Sequence, residues 1–123
     1  MTNQARFSLT TVDDVPVIDA AGELDMTNVH ELESRFAQAA EQNRGVVVVS
    51  LANVRYFDSR TIHALAIAAA RLGKNRQQLV LVLPAMPSAR VIFDMTGLKA
   101  RLPVFDTRDE AIAYGRANRV ELK

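Results

Sequence analysis

The sequence contains no cysteine and no tryptophan, and it holds only five glycines, four prolines and 6% aromatic residues. Without cysteine there is no disulfide framework, no thiolate metal site and no thiol chemistry, and a reducing compartment is the natural setting. His30 and His63 are the only imidazoles. His30-Glu31 begins like a zinc-protease helix, but Ser34 stands where the second histidine is needed, and no G-x-S-x-G elbow is present. The glycines never fall into G-x-G-x-x-G spacing; Gly73-Lys74 ends like a phosphate loop, yet Ala68 occupies the position of its first glycine. That stretch reads better as a helix ending in a basic turn and capped by Gly73. These absences leave no catalytic residue, no metal site and no cofactor site to name, so the chain is not expected to be an enzyme.

Long apolar runs are missing as well. The longest, Ala64 to Ala70, is far short of the ~20 residues a membrane span requires. The opening residues, Met1 to Arg6, are polar and lack the apolar core of a signal peptide. The expectation is a cytoplasmic protein without membrane insertion. Sparse aromatics also argue against a stacking surface for nucleic acid, so no direct nucleic-acid contact is expected.

What is present is 123 residues, 49% of them hydrophobic, enough for one domain spanning residues 1–123 with a core of its own. The net charge of +1 hides an asymmetry. Residues 1–59 carry four basic against nine acidic side chains, and residues 60–123 carry eleven against five. The sign changes between Ser59 and Arg60.

Arg6 to Val12 alternates apolar and polar residues, meets the turn signal Asp13-Asp14 and continues into Val15-Pro16-Val17-Ile18, which predicts an edge hairpin because Pro16 cannot donate to a ladder. Asn28 with Glu31 forms a capping-box signature for a helix over about 28–43, with Arg44 near its end and Gly45 as C-cap. Val46 to Leu51 and Leu79 to Leu83 are continuous apolar runs, as expected of strands covered on both faces. Between them, Thr61 to Leu72 predicts a helix. Ser88 suits the cap of a short helix through Met95 ended by Gly97, Val104-Phe105 a short strand, and Thr107 with Glu110 the capping box of a last helix to about Ala117. The order of elements predicts an α/β domain with a mixed sheet of four to five strands and about four helices.

In the helix after residue 60, Ile62, Leu65, Ala66, Ala69 and Leu72 form one face, while Ala64, Ile67, Ala68 and Ala70 carry apolar character round most of the rest. Its outer side is either covered by neighbouring helices or an exposed docking or dimer surface. Just before it, Asp58-Ser59 falls at the helix N-terminus. Either residue suits an N-cap, and an exposed serine hydroxyl there also suits a phosphoryl group, because free backbone N–H groups and the helix dipole tolerate an anion.

Gly22-Glu23-Leu24-Asp25, Phe57-Asp58-Ser59, Phe93-Asp94-Met95-Thr96-Gly97-Leu98 and the final strand-helix unit occur in the order and spacing found in STAS domains. The chain resembles the anti-sigma factor antagonists of that family from about residue 6 to 117. The resemblance implies a STAS-like fold and a protein that binds a serine-kinase anti-sigma factor, thereby releasing a sigma factor. It also implies that phosphorylation at Ser59 blocks binding and that a serine phosphatase restores it. Asp25, Asp58, Ser59, Arg60 and Thr61 are then the partner-binding residues, with Thr61 an alternative acceptor. The family commonly has Asp-Ser-Ser/Thr-Gly-Leu-Gly where this chain has Asp58-Ser59-Arg60-Thr61-Ile62-His63. A second role compatible with the resemblance is an unphosphorylated STAS scaffold in a stress-signalling assembly or a lipid-transport complex. A homodimer is also open.

Overall fold

In a computed structural model, which describes residues 5–42 and 44–118, the valine run is the start of a long central strand, and the other elements are arranged around it. The order is β1 (Arg6–Val12), β2 (Val15–Leu24), α1 (Val29–Ala40), β3 (Val46–Phe57), α2 (Ser59–Lys74), β4 (Gln78–Val82), α3 (Pro87–Asp94), a 3₁₀ turn (Leu98–Ala100), β5 (Val104–Phe105) and α4 (Arg108–Asn118). The five strands lie in the order 1-2-3-4-5; β1 is antiparallel to β2, and β2 to β5 run parallel. This is the mixed sheet with four helices that the sequence predicts.

Alternation along the strands divides the core in two. Ile18, Val47, Val49, Leu51, Leu79 and Leu81 face α1, α2 and α3, whereas Val15, Val17, Val46, Val48, Val80 and Val82 face α4. The valine face is shallow because α4 lies close against it. A Cβ at Gly115 would sit 2.9 Å from Val15 Cγ1 and 3.3 Å from Val46 Cγ1, which accounts for glycine within this helix. At the other end of α4, Arg108 forms two 2.9 Å hydrogen bonds to the carboxylate of Asp19 on β2. That bonding, more than the opposing effect of burial, raises the guanidinium pKa above its ordinary value. Thr107 and Glu110 complete the predicted capping box, each side-chain oxygen accepting from the other residue's backbone N–H at 3.2 Å.

Several local expectations are corrected. The hairpin turns at Asp13 and Asp14, both at positive φ as a two-residue turn demands, but of its two strands only β1 is an edge of the sheet. Pro16 is tolerated in β2 because pairing with β3 begins one residue later, at Val17. Asn28 precedes α1 without capping it by its side chain; its Oδ1 accepts from Asp25 N and its Nδ2 donates to the Glu23 carbonyl, closing the loop. α1 stops at Ala40, and Gly45 is not its cap: Gln77 Nε2 donates to the carbonyls of Ala40 and Arg44 instead. Gly73 is helical, and the chain leaves α2 at Arg76 with φ of 62°. α3 begins with Pro87 behind Met86, not with a Ser88 cap, since proline needs no N–H at that position. β3 continues six residues past Leu51 because Ala21 to Leu24 go on pairing with it after β4 has ended.

Replacing Gly115 by Val places two methyl groups into Val15 and Val46, and overpacking of this kind costs about 2 kcal/mol. Urea unfolding of Gly115→Val is expected to show a lower midpoint with an unchanged slope.

Candidate functional site

The parallel strands deliver their carboxyl ends to one edge, where ligand and partner sites collect in α/β sheets. β2 ends at Leu24, paired with Phe57 at the end of β3, so Asp25 and Asp58 follow side by side on strands ~4.8 Å apart. Asp25 is held in its loop: its Oδ1 accepts from Thr27 N at 2.9 Å and from the Thr27 hydroxyl, while its carbonyl accepts from Asn28 N and Val29 N.

Asp58 is the N-cap of α2. Its backbone is extended, and its Oδ1 accepts from the N–H groups of Arg60 at 3.0 Å and Thr61 at 3.3 Å. The two possibilities for the Asp58-Ser59 pair therefore fall on different residues. Asp58 does the capping, and Ser59, the first helical residue, is exposed with no hydrogen bond from its hydroxyl among the described residues. Its side chain contributes nothing visible to folding and is open to solvent. Arg60 is exposed beside it and forms no ion pair among the described residues.

Thr61 is a correction. The resemblance implies it as a partner-binding residue and an alternative phosphate acceptor, but it is fully buried, and its hydroxyl has no hydrogen-bond partner. The cause is the phase of α2. With Asp58 as cap, Thr61 falls in line with Leu65, Ala68 and Leu72 on the face turned to the sheet, whereas Ile62, Ala66 and Ala69 are only partly buried. Thr61 therefore belongs to the packing of α2, not to the surface.

Sequence reasoning missed the apolar part of this edge. Phe93 of α3 packs edge-on against Phe57, with ring centroids 6.1 Å apart, and Ala85 N donates to the Ala52 carbonyl, so α3 runs beside the second half of β3. While Ala89 and Phe93 point inward, Val91, Ile92 and Met95 stand outward, Met95 at 81% exposure. Met26 after β2, Tyr56 on β3 and Met86 before α3 are exposed as well. The signal was available in the sequence: α3 has apolar residues on two faces, more than a short helix on one sheet can bury.

The fold and this edge define the class, a layered α/β domain with an exposed serine at a helix N-terminus. Among the described residues no helix is long and apolar enough to cross a membrane, and no three His, Cys, Asp or Glu side chains gather in a group fit for a metal ion. The chain belongs to the STAS domain family, whose pattern residues 6–111 match. It is similar to the anti-sigma-B factor antagonist of Staphylococcus epidermidis, 34% identical over 89 residues that cover 72% of this chain and 82% of the relative. Among solved structures it is similar to an anti-sigma factor antagonist from Mycobacterium paratuberculosis, with a TM-score of 0.79, 25% identity and coverage of 92% of this chain and 95% of that one. It also shares the fold of the Bacillus cell fate determinant SpoIIAA in its phosphorylated form, with a TM-score of 0.67, 22% identity and coverage of 89% and 98%.

Thr61→Val removes a buried hydroxyl without a partner while keeping the side chain's shape, and is expected to raise stability by about 1 kcal/mol. Asp58→Ala removes the cap and is expected to lower it by about 1 kcal/mol. Both are read from chemical denaturation midpoints.

Proposed function

We propose that this chain is an anti-sigma factor antagonist: a binding module whose Ser59 edge docks on a serine-kinase anti-sigma factor, releases a sigma factor, and is switched off by a phosphate on Ser59. A serine phosphatase resets it. The observation that carries this reading is the exposed, unbonded Ser59 hydroxyl at the first turn of α2, beside a cap supplied by another residue. The relatives support it through their names, which describe antagonists of anti-sigma factors.

The physics of the switch follows from the placement of charge. A phosphoryl group brings roughly −1.5 to −2 charges to Ser59. The helix itself tolerates it, because the dipole favours an anion at the N-terminus. It need not displace Asp58, whose bonds go to the N–H groups of Arg60 and Thr61. The domain therefore stays folded, and the effect falls on the partner, which would have to desolvate phosphate together with Asp25 and Asp58. Arg60 supplies an adjacent positive charge and tempers this repulsion. The docking energy comes from the apolar side chains around the edge, above all Met95, Val91 and Met26, since buried apolar anchors carry most of the affinity of such interfaces.

Incubation with ATP and the cognate kinase is expected to place one phosphate on Ser59, located by mass spectrometry. Ser59→Asp is expected to weaken anti-sigma factor binding about a hundredfold, equivalent to about 2.7 kcal/mol, while Ser59→Ala binds like the wild type. Equal binding by the two variants would overturn the switch and leave a constitutive scaffold. For the apolar anchors, Met95→Ala is expected to cost about tenfold in affinity with no change in the thermal midpoint. Calorimetric titration against the purified partner reads both effects.

A further inference from the structure

We propose that β1 is a homodimer edge, along which a second copy of this chain adds its own β1 antiparallel, so that one sheet runs through both copies. β1 and β5 are the two edges of the sheet. β5 is only two residues long, and so short an edge offers little to pair with. β1 has seven residues, pairs with β2 without a bulge, contains no proline and carries a single charged side chain, Arg6, at its end. It therefore lacks the devices that ordinarily keep a sheet edge from pairing.

The register of the hairpin determines which backbone groups face outward. Val12 and Val15 flank the two-residue turn as a hydrogen-bonded pair, so Arg6, Ser8, Thr10 and Val12 turn their N–H and C=O groups toward β2. Phe7, Leu9 and Thr11 turn theirs away from it, and among the described residues no other strand or loop backbone takes them up. Phe7 and Leu9 pack against the core below α1, yet both are only half-buried.

The choice of occupant comes from the self-complementarity of this strand. A two-fold axis normal to the sheet and beside Leu9 reverses the strand direction and keeps the α1 side of both copies on the same face. Leu9 then lies against Leu9 of the second copy, and Phe7 against its Thr11, each residue exchanging N–H and C=O with its opposite. Within β1 this is the only register that uses all the outward groups of both copies. On the α1 face the contact covers the remaining surface of Leu9 and Phe7; on the α4 face Ser8 meets the second copy's Thr10, hydroxyl to hydroxyl. Arg6 falls opposite Val12 of the second copy, next to its Asp13-Asp14 turn, so opposite charges approach at both ends of the joint. A parallel contact would set Arg6 beside Arg6 and acidic turn beside acidic turn. The antiparallel pairing is isologous and closed.

A seven-residue strand is about 24 Å long, and one such edge buries less than the ~800 Å² per partner of a standard interface. The dimer is therefore weak and reversible. It does not rest on the Ser59 reading, because Ser59 follows β3, two strands in from this edge.

Sedimentation equilibrium of the full chain from micromolar to millimolar concentration is expected to show a shift from monomer to dimer. Thr11→Pro removes an outward N–H and leaves the ladder to β2 intact, and is expected to weaken association about tenfold with an unchanged circular dichroism spectrum. Cross-linking reads the register. The chain has no cysteine, so introduced thiols are the only ones present. Ser8 and the second copy's Thr10 form a pair without hydrogen bonds, with Cα atoms ~4.5 Å apart, within disulfide reach, whereas Ser8 to Ser8 and Thr10 to Thr10 are diagonal neighbours at ~7–8 Å. In an oxidising glutathione buffer, a mixture of Ser8→Cys and Thr10→Cys is expected to cross-link about fivefold faster than either variant alone at the same total concentration. A wild type that stays monomeric throughout, leaving the edge to an extended segment of another protein, would overturn the proposal. So would a Thr11→Pro variant that dimerises like the wild type, or a mixture that cross-links no faster than its components.

Discussion

A strand buried on both faces has no side turned to water, and Val46 to Leu51 is such a strand, at most 3% exposed at every position. It must be covered by helices above and below, and its backbone must be paired on both edges. Parallel neighbours on either side meet the second demand, and the crossover helices they require supply most of the first. The unequal cover then follows. Three helices pack on the leucine-bearing face and one on the valine-bearing face, where a glycine brings α4 close enough to exclude water. The same parallel arrangement brings the loops after β2 and β3 to one edge. The candidate site is thus a consequence of how the central strand is covered.

At that edge, capping and exposure are divided between adjacent residues. An N-terminus of a 16-residue helix needs acceptors for its free N–H groups, and Asp58 meets that need alone. Had Ser59 been the cap, its hydroxyl would have been occupied by a backbone N–H, and any modification would have competed with helix stability. With Asp58 in that role, Ser59 is free to change its chemistry without the fold changing. Thr61 shows the opposite case. Its hydroxyl is sequestered under α2 and unbonded, a small standing cost to stability that gives the surface nothing.

The parts of the structure legible in the sequence are those fixed by neighbours along the chain. The Asp13-Asp14 turn, the Thr107–Glu110 box and the double-sided strands each rest on a few consecutive residues. The corrected parts depend on distant contacts. α1 is closed by Gln77, more than thirty residues away, so no residue near Gly45 could have revealed its end. The phase of α2 escaped for a different reason: alanine is weakly hydrophobic, so a helix with alanine at Ala64, Ala66, Ala68, Ala69 and Ala70 gives little indication of which side faces inward. Thr61 entered the candidate site through the family motif, and the phase of α2 turns it inward. At the candidate site, the acidic residues and Ser59 were legible as a motif and the second apolar face of α3 as a surplus, whereas the exposure of Met26 and Tyr56 was not. Which face of α3 is outward depends on Phe93 packing into the core against Phe57.

The reversal of charge between Ser59 and Arg60 acquires its meaning from the fold. Position 59/60 is where the chain passes from the β3 end into α2, so the boundary in sequence becomes a boundary in space between an acidic α1 and a basic α2 on one helical face. Charges so arranged do little for the monomer, because exposed pairs are screened and worth at most about 1 kcal/mol. Their geometric order matters more than their energy. Ser59 sits at the junction of the two halves. A charge added there lies at the acidic end of the boundary and one residue from the first basic side chain of α2, so Arg60 sets how far its field reaches toward a partner.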